Sequence, residues 1–229
     1  MSERREGLPN PGIVFDLDGT LIESTIDFEL MRDRVFGYLI DMGLGYVLER
    51  SDTVAKNMDR VRIEIRETNI DLKTVETRVE AICVEVEMMS VEYTKEVPGA
   101  GDSLRALRVM GNPLALLTRG SRNYATQALR ASHLTGLLDT IICRDDHAIS
   151  EAKPHPEAMR RAAAALNLRP EQCILIGDHL MDLECANSAG SLFVAVLSGH
   201  NGRKGWEDLG VERIILSIAQ LPRYLEEMT

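Results

Sequence analysis

Asp16 and Asp18 stand in the run Asp16-Leu17-Asp18-Gly19-Thr20-Leu21, directly after the short apolar stretch Ile13-Val14-Phe15. Extended backbone at the end of that stretch puts alternate side chains on one side, so both carboxylates are presented together while Gly19 and Thr20 turn the chain away. Such a pair can hold a hard cation. It can also divide chemistry, one oxygen attacking an electrophile while the other carboxyl handles a proton. The same residue types also make an ordinary acidic turn, so other segments must decide between the two readings.

Three further segments carry candidate groups. Thr118 ends the apolar run Leu114–Leu117 and is followed by Arg119-Gly120-Ser121. A hydroxyl, a guanidinium and free amides near a helix start make a phosphate cradle, and the alternative is an N-capping turn. In Lys153-Pro154-His155-Pro156 the prolines stiffen the backbone and fix where Lys153 points, so its ammonium could neutralise a phosphoryl oxygen or a carboxylate. In Ile174-Leu175-Ile176-Gly177-Asp178-His179-Leu180-Met181-Asp182 an aspartate leaves a strand beside a glycine, and a second follows about one helical turn later. Clustered carboxylates beside an open phosphate site match the water-rich coordination that magnesium prefers. His147, His155 and His179 read as turn or surface residues.

The elements that must position these groups are legible as apolar runs. Leu114–Leu117, Thr140–Cys143, Cys173–Ile176, Leu192–Leu197 and Ile214–Leu216 resemble the first run, each short and nearly continuous, as strands covered on both faces are. Helical patterns lie between them, at about Gly101–Met110, Arg122–Leu134, Pro156–Leu166 and Asp182–Ala189. Alternation of this kind predicts a parallel α/β sheet, whose ligands bind beyond the carboxyl ends of the strands, where Asp16 and Asp18 fall. Residues 22–97 break the alternation. There Val75, Val79, Ile82, Val86, Met89 and Tyr93 recur at helical spacing, which predicts a helical domain inserted after the first strand, its stripe packed within a small bundle rather than along a coiled-coil seam. Pro98-Gly99 marks the return to the sheet, giving an α/β domain of residues 1–21 and 98–229.

The chain has 229 residues, a formal net charge of -10, 45% hydrophobic and 27% charged residues. It can bury a substantial core, and its charge disfavours nucleic acid or anionic membrane as a partner. A small anionic substrate held by local cations is compatible with it. No apolar run is long enough to span a membrane, and Met1-Ser2-Glu3-Arg4-Arg5-Glu6-Gly7 lacks a signal-peptide core, so a cytoplasmic protein is expected. Cys83, Cys143, Cys173 and Cys185 have no CxxC spacing, which argues against a zinc site or disulfides, and Cys143, Cys173 and Cys185 sit in apolar settings that read as buried small residues.

In combination these motifs resemble the haloacid dehalogenase superfamily, in particular its phosphoglycolate phosphatase-like members. The resemblance rests on Asp16-Leu17-Asp18-Gly19-Thr20, Thr118 after an apolar strand, Lys153-Pro154, and Gly177-Asp178 with Asp182, in that family's order and over about residues 12–200. It implies a three-layer, Rossmann-like parallel sheet with a helical cap inserted at residues 22–97. It also implies that Asp16 attacks phosphorus to give an aspartyl phosphate, and that Asp18 protonates the leaving alcohol and then activates water. Magnesium would be held by Asp16, the backbone carbonyl of Asp18, Asp178 and Asp182, and the phosphoryl group by Thr118 and Lys153. The substrate would be a small phosphorylated metabolite, with phosphoglycolate leading, and the assembly a monomer or homodimer. Two departures bear on the substrate: Arg119 stands where many relatives have Asn, and Glu23 where many phosphoglycolate phosphatase-like members have Asp. Arg119 and Gly120 are candidate anion contacts, Arg119 otherwise pointing to solvent, and Arg32, near Thr25-Ile26-Asp27-Phe28, could pair with a substrate carboxylate. A phosphosugar mutase shares the core residues, and a catalytically silent binding module would share the fold.

Overall fold

The computed structural model describes residues 10–228. The N-terminal heptapeptide considered above for a signal-peptide core lies outside the described residues. The chain opens with β1 (Gly12–Phe15), buried along its whole length. A short strand, β2 (Ile22–Glu23), precedes helices α1 (Phe28–Asp41), α2 (Val54–Glu64) and α3 (Leu72–Ser90), and β3 (Lys95–Glu96) then pairs antiparallel with β2. From there helix and strand alternate through α4 (Ala100–Val109), β4 (Leu114–Leu117), α5 (Arg122–Ala131), β5 (Thr140–Ile142) and α6 (Pro156–Ala165). The series continues with β6 (Cys173–Gly177), α7 (Leu180–Ala189), β7 (Leu192–Val196), α8 (Arg203–Asp208), β8 (Ile214–Ile215) and α9 (Leu221–Met228).

Six strands form a parallel sheet in the order β5-β4-β1-β6-β7-β8. The order runs outward in two directions from the centre, so β1 and β6 meet where it reverses, and the crevice beyond their carboxyl ends is where such sheets hold ligands. Register makes the two exits neighbours. Phe15 lies opposite Ile176, and the Asp16 amide donates to the Ile176 carbonyl at 2.9 Å.

Helices cover both faces. Val14, Ala115, Leu117, Leu175 and Phe193 pack against Met159 and Ala162 of α6 and Ala186 of α7. The alternate residues Ile13, Phe15, Leu116, Ile174 and Ile176 are at most 2% exposed and point to the opposite face. Right-handed crossovers assign α4 and α5 to that face, and their residues Leu104, Leu107, Tyr124 and Ala128 are fully buried. All four cysteines are buried free thiols. No described helix is long and apolar enough to cross a membrane.

The chain divides into two compact units, Thr25–Glu92 and the segments before and after it. In the first, Met31, Val35 and Leu39 of α1 meet Met58 and Val61 of α2 and Val75, Val79, Ile82 and Val86 of α3. Four members of the expected stripe are thus core of this unit, whereas Met89 is 54% and Tyr93 61% exposed. The unit is a little shorter than the expected 22–97. Ile22–Glu23 and Lys95–Glu96, which pair with each other as a two-stranded ribbon, belong with the sheet-bearing unit.

Candidate active site

Asp16, the residue after β1, is 8% exposed and receives the ammonium of Lys153 at 2.5 Å from its Oδ1. The same Nζ donates to Asp182 Oδ1 at 2.6 Å. Lys153 comes from the loop between β5 and α6 and is 3% exposed, so sequence-distant loops meet in one buried ion-pair network. The other oxygen of Asp182 accepts the His179 amide at 3.1 Å and caps α7, so one carboxylate serves the helix start and the ion pair together. Gly177 makes that possible, since a Cβ there would run into the Asp182 carboxylate. Asp178 leaves β6 beside it, its Oδ2 accepting the His200 amide at 2.7 Å and its Oδ1 the Thr20 hydroxyl at 3.4 Å. Gly19 approaches this carboxylate with φ +81°, and a Cβ would lie 2.6 Å from Asp178 Oδ2, so both the backbone and the space require glycine.

One oxygen from each of Asp16, Asp178 and Asp182 lies within 4.8 Å of the others. With all three ionised and Lys153 charged, two negative charges are left uncompensated in a buried site. Burial raises the Asp16 carboxyl well above its ordinary range, Lys153 opposing and Asp182 and Asp178 adding to the rise. Burial likewise raises Asp178, against the His200 amide. For Lys153, burial favours the neutral amine, but Asp16 and Asp182 together outweigh it and keep the ammonium. An all-oxygen, hard donor set with surplus negative charge fits a divalent cation of the magnesium or calcium type.

Asp18 is half-buried, and its Oδ1 accepts a hydrogen bond from the Tyr124 hydroxyl at 2.6 Å. The close carboxylate trio is Asp16, Asp178 and Asp182, without Asp18. Just past Asp18 the amides of Thr20, Leu21 and Ile22 all converge on the Leu17 carbonyl, which forms the tight turn expected from Gly19 and Thr20. Thr118 is 3% exposed and its hydroxyl accepts the Gly120 amide at 2.9 Å, so the Gly120 N–H is engaged within its own turn in this structure. Ser121 caps α5, accepting the Tyr124 amide at 3.3 Å. The capping turn and the candidate cradle are therefore the same residues.

Arg119 is half-buried at the end of this turn. Its guanidinium donates to the backbone carbonyl of Lys153, and the guanidinium of Arg144 donates to the carbonyl of Arg119. Arg119 is thus a tie between the loops after β4 and β5. Arg32 lies on α1 in the Thr25–Glu92 unit and is half-buried. His155 and His179 cap α6 and α7 through their side chains, and burial holds the His179 imidazole below its usual value. Tyr124, Arg144 and the Ser198–His200 loop are additions to the residues legible in sequence. Tyr124 sits at an inward helix position and reads as plain core, and only the need of a buried hydroxyl for a partner could have marked it.

Comparison with known proteins identifies the family. The family model for haloacid dehalogenase-like hydrolases matches residues 11–190, which spans the whole cluster from Asp16 to Asp182. The chain is 30% identical over 192 residues to the validoxylamine A 7'-phosphate phosphatase of Streptomyces hygroscopicus subsp. limoneus, covering 82% of this chain and 86% of that one. It is 28% identical over 225 residues to a plasmid phosphoglycolate phosphatase of Cupriavidus necator, covering 95% and 94%. Among solved structures, a HAD family hydrolase from Deinococcus radiodurans R1 with bound phosphate and sodium superposes with a TM-score of 0.63 at 26% identity, covering 96% of this chain and 97% of that one. With the family model matching far more than half of the sequence, this chain belongs to the haloacid dehalogenase-like hydrolases.

Proposed function

We propose that the protein is a magnesium-dependent phosphatase that hydrolyses a small phosphomonoester through an aspartyl phosphate on Asp16. The observation that carries this is the pairing of a buried Asp16, held by Lys153 at 2.5 Å, with Asp18 two residues later on a separate hydrogen bond to Tyr124. Two carboxyls of one turn are thereby given different environments, as a nucleophile and a proton-transfer group need. The relatives named as phosphatases of phosphoglycolate and of validoxylamine A 7'-phosphate support a phosphomonoester substrate, with phosphoglycolate as the leading candidate.

In the first half of the reaction an Asp16 oxygen attacks phosphorus, the bond to the leaving oxygen breaks, and Asp18 gives that oxygen a proton. In the second half Asp18 takes a proton from water, the water oxygen attacks the phosphoryl group, and the bond to Asp16 breaks to release inorganic phosphate. Lys153, fixed between Asp16 and Asp182, places positive charge beside the phosphoryl oxygens, and Thr118 supplies a hydroxyl. Asp16, Asp178 and the Asp18 carbonyl, with Asp182 completing the acidic set, would hold the cation. Magnesium, when bound, supplies further neutralisation of phosphoryl charge.

A phosphate-release screen with magnesium or with EDTA tests the reading on phosphoglycolate, sugar phosphates, nucleotides and phosphonates. Magnesium-dependent phosphate release from at least one monoester is expected. Isomerised sugar phosphate without free phosphate would instead make the chain a mutase, and silence across the panel would make it a binding module.

A further inference from the structure

Tyr124 is fully buried, and its hydroxyl reaches a carboxylate 106 residues away in sequence. Phenylalanine would fill the same core space, and what it would lack is the hydroxyl that donates to Asp18. The ring is held firmly. It belongs to the first turn of α5, anchored by the Ser121 cap, and it occupies the space beside Gly120, where a Cβ would come within 2.8 Å of the ring and 3.3 Å of the Thr118 hydroxyl. A neutral donor can pin a carboxyl without drawing it into an ion pair of the kind that Lys153 makes with Asp16.

We infer that Tyr124 is a positioning residue for Asp18, fixing the rotation of its carboxyl so that it meets the leaving oxygen and then the hydrolytic water. The inference rests on the phosphatase reading and adds to it a residue of α5 that touches neither phosphorus nor cation. Asp18 acts in both halves of the reaction, whereas a nitrophenolate leaving group departs as an anion and requires no proton in the first half.

The test is Tyr124→Phe, which removes one oxygen and leaves the ring. For an alkyl phosphate that the wild type hydrolyses, kcat should fall about 10- to 100-fold, part of the roughly 10²–10⁴-fold that general acid–base catalysis supplies, with KM within about two-fold. The melting temperature should stay close to that of the wild type. With p-nitrophenyl phosphate the variant should release a stoichiometric burst of nitrophenolate and accumulate phosphorylated enzyme, because attack by Asp16 proceeds while hydrolysis by water lags. In an Asp18→Asn background the same change should not slow hydrolysis of the phosphorylated enzyme further. An unchanged kcat, or a loss shared equally by burst rate, KM and melting temperature, overturns the positioning role. A wild type inactive on every monoester overturns the phosphatase reading and the inference with it, whereas an active wild type with an unaffected Tyr124→Phe overturns the inference alone.

Discussion

Asp178 shows how a carboxylate can be held in place yet be costly to keep charged. It is 5% exposed, accepts the His200 amide, and is raised in pKa by its burial. Asparagine at 178 keeps an acceptor oxygen for that amide and discards the charge. In EDTA, Asp178→Asn should therefore melt higher than the wild type by roughly 2–4 °C, the shift that about 1 kcal/mol produces in a chain of this size. Added magnesium should raise the melting temperature of the wild type and leave the variant unmoved. A variant that melts lower without metal, or that still responds to magnesium, would remove Asp178 from the cation site. Asp16→Asn poses the complementary question, because an amide can still accept from Lys153 but cannot form the acyl phosphate. Turnover should vanish in a phosphate-release assay, and near-normal rates would rule out Asp16 as nucleophile.

At the scale of elements, the site is made by strand exits and by the turns that let neighbouring exits approach. Gly177 ends β6, and a methyl group there would push the Asp182 carboxylate off both the His179 amide and the Lys153 ammonium. Gly177→Ala should thus cost stability, on the order of 1–3 kcal/mol for a forced fit of this kind, and lower kcat/KM by misplacing Lys153. Urea denaturation and initial rates on the same preparations check both, and a variant equal to the wild type in each would show that α7 absorbs the shift. The central strands β1, β4 and β6 were legible because each is buried on both faces and reads as a continuous apolar run, and their ends locate Asp16, Thr118 and Asp178 directly. The ribbon of β2 and β3 was not legible, since two residues carry no periodicity. Helix α9 was missed because in Leu221–Met228 only Leu221 and Leu225 are buried, too few to form a pattern. The tie from the Arg119 guanidinium to the backbone carbonyl of Lys153 was not legible either, since carbonyls leave no trace in residue identity.

For the whole molecule, the buried ionisable groups set a limit on the alkaline side. Burial pushes the Cys143 thiol up to about 12 and the Cys173 and Cys185 thiols to about 11. In the unfolded chain a thiol titrates near 8.5. Between those values the unfolded state gives up protons that the folded state retains, so stability falls as pH rises, by at most about 1.4 kcal/mol per pH unit for each thiol. Lys153 acts in the same direction, since its raised pKa contributes stability that is complete below its unfolded value of about 10.4 and is lost above it. The urea midpoint should therefore be nearly flat from pH 7 to 8, decline above about pH 9 and steepen beyond about 10.5. Cys173→Ala should begin less stable, because a fully buried sulfur is lost, yet decline less steeply over the same interval. At pH 8 the folded protein should resist iodoacetamide at these three positions and react at all of them in urea, because burial disfavours the thiolate and blocks the reagent. A wild type whose midpoint holds steady to pH 10, or whose folded thiols alkylate as fast as the unfolded ones, would show that these sulfurs are not sealed in the core as the sheet and its helices place them.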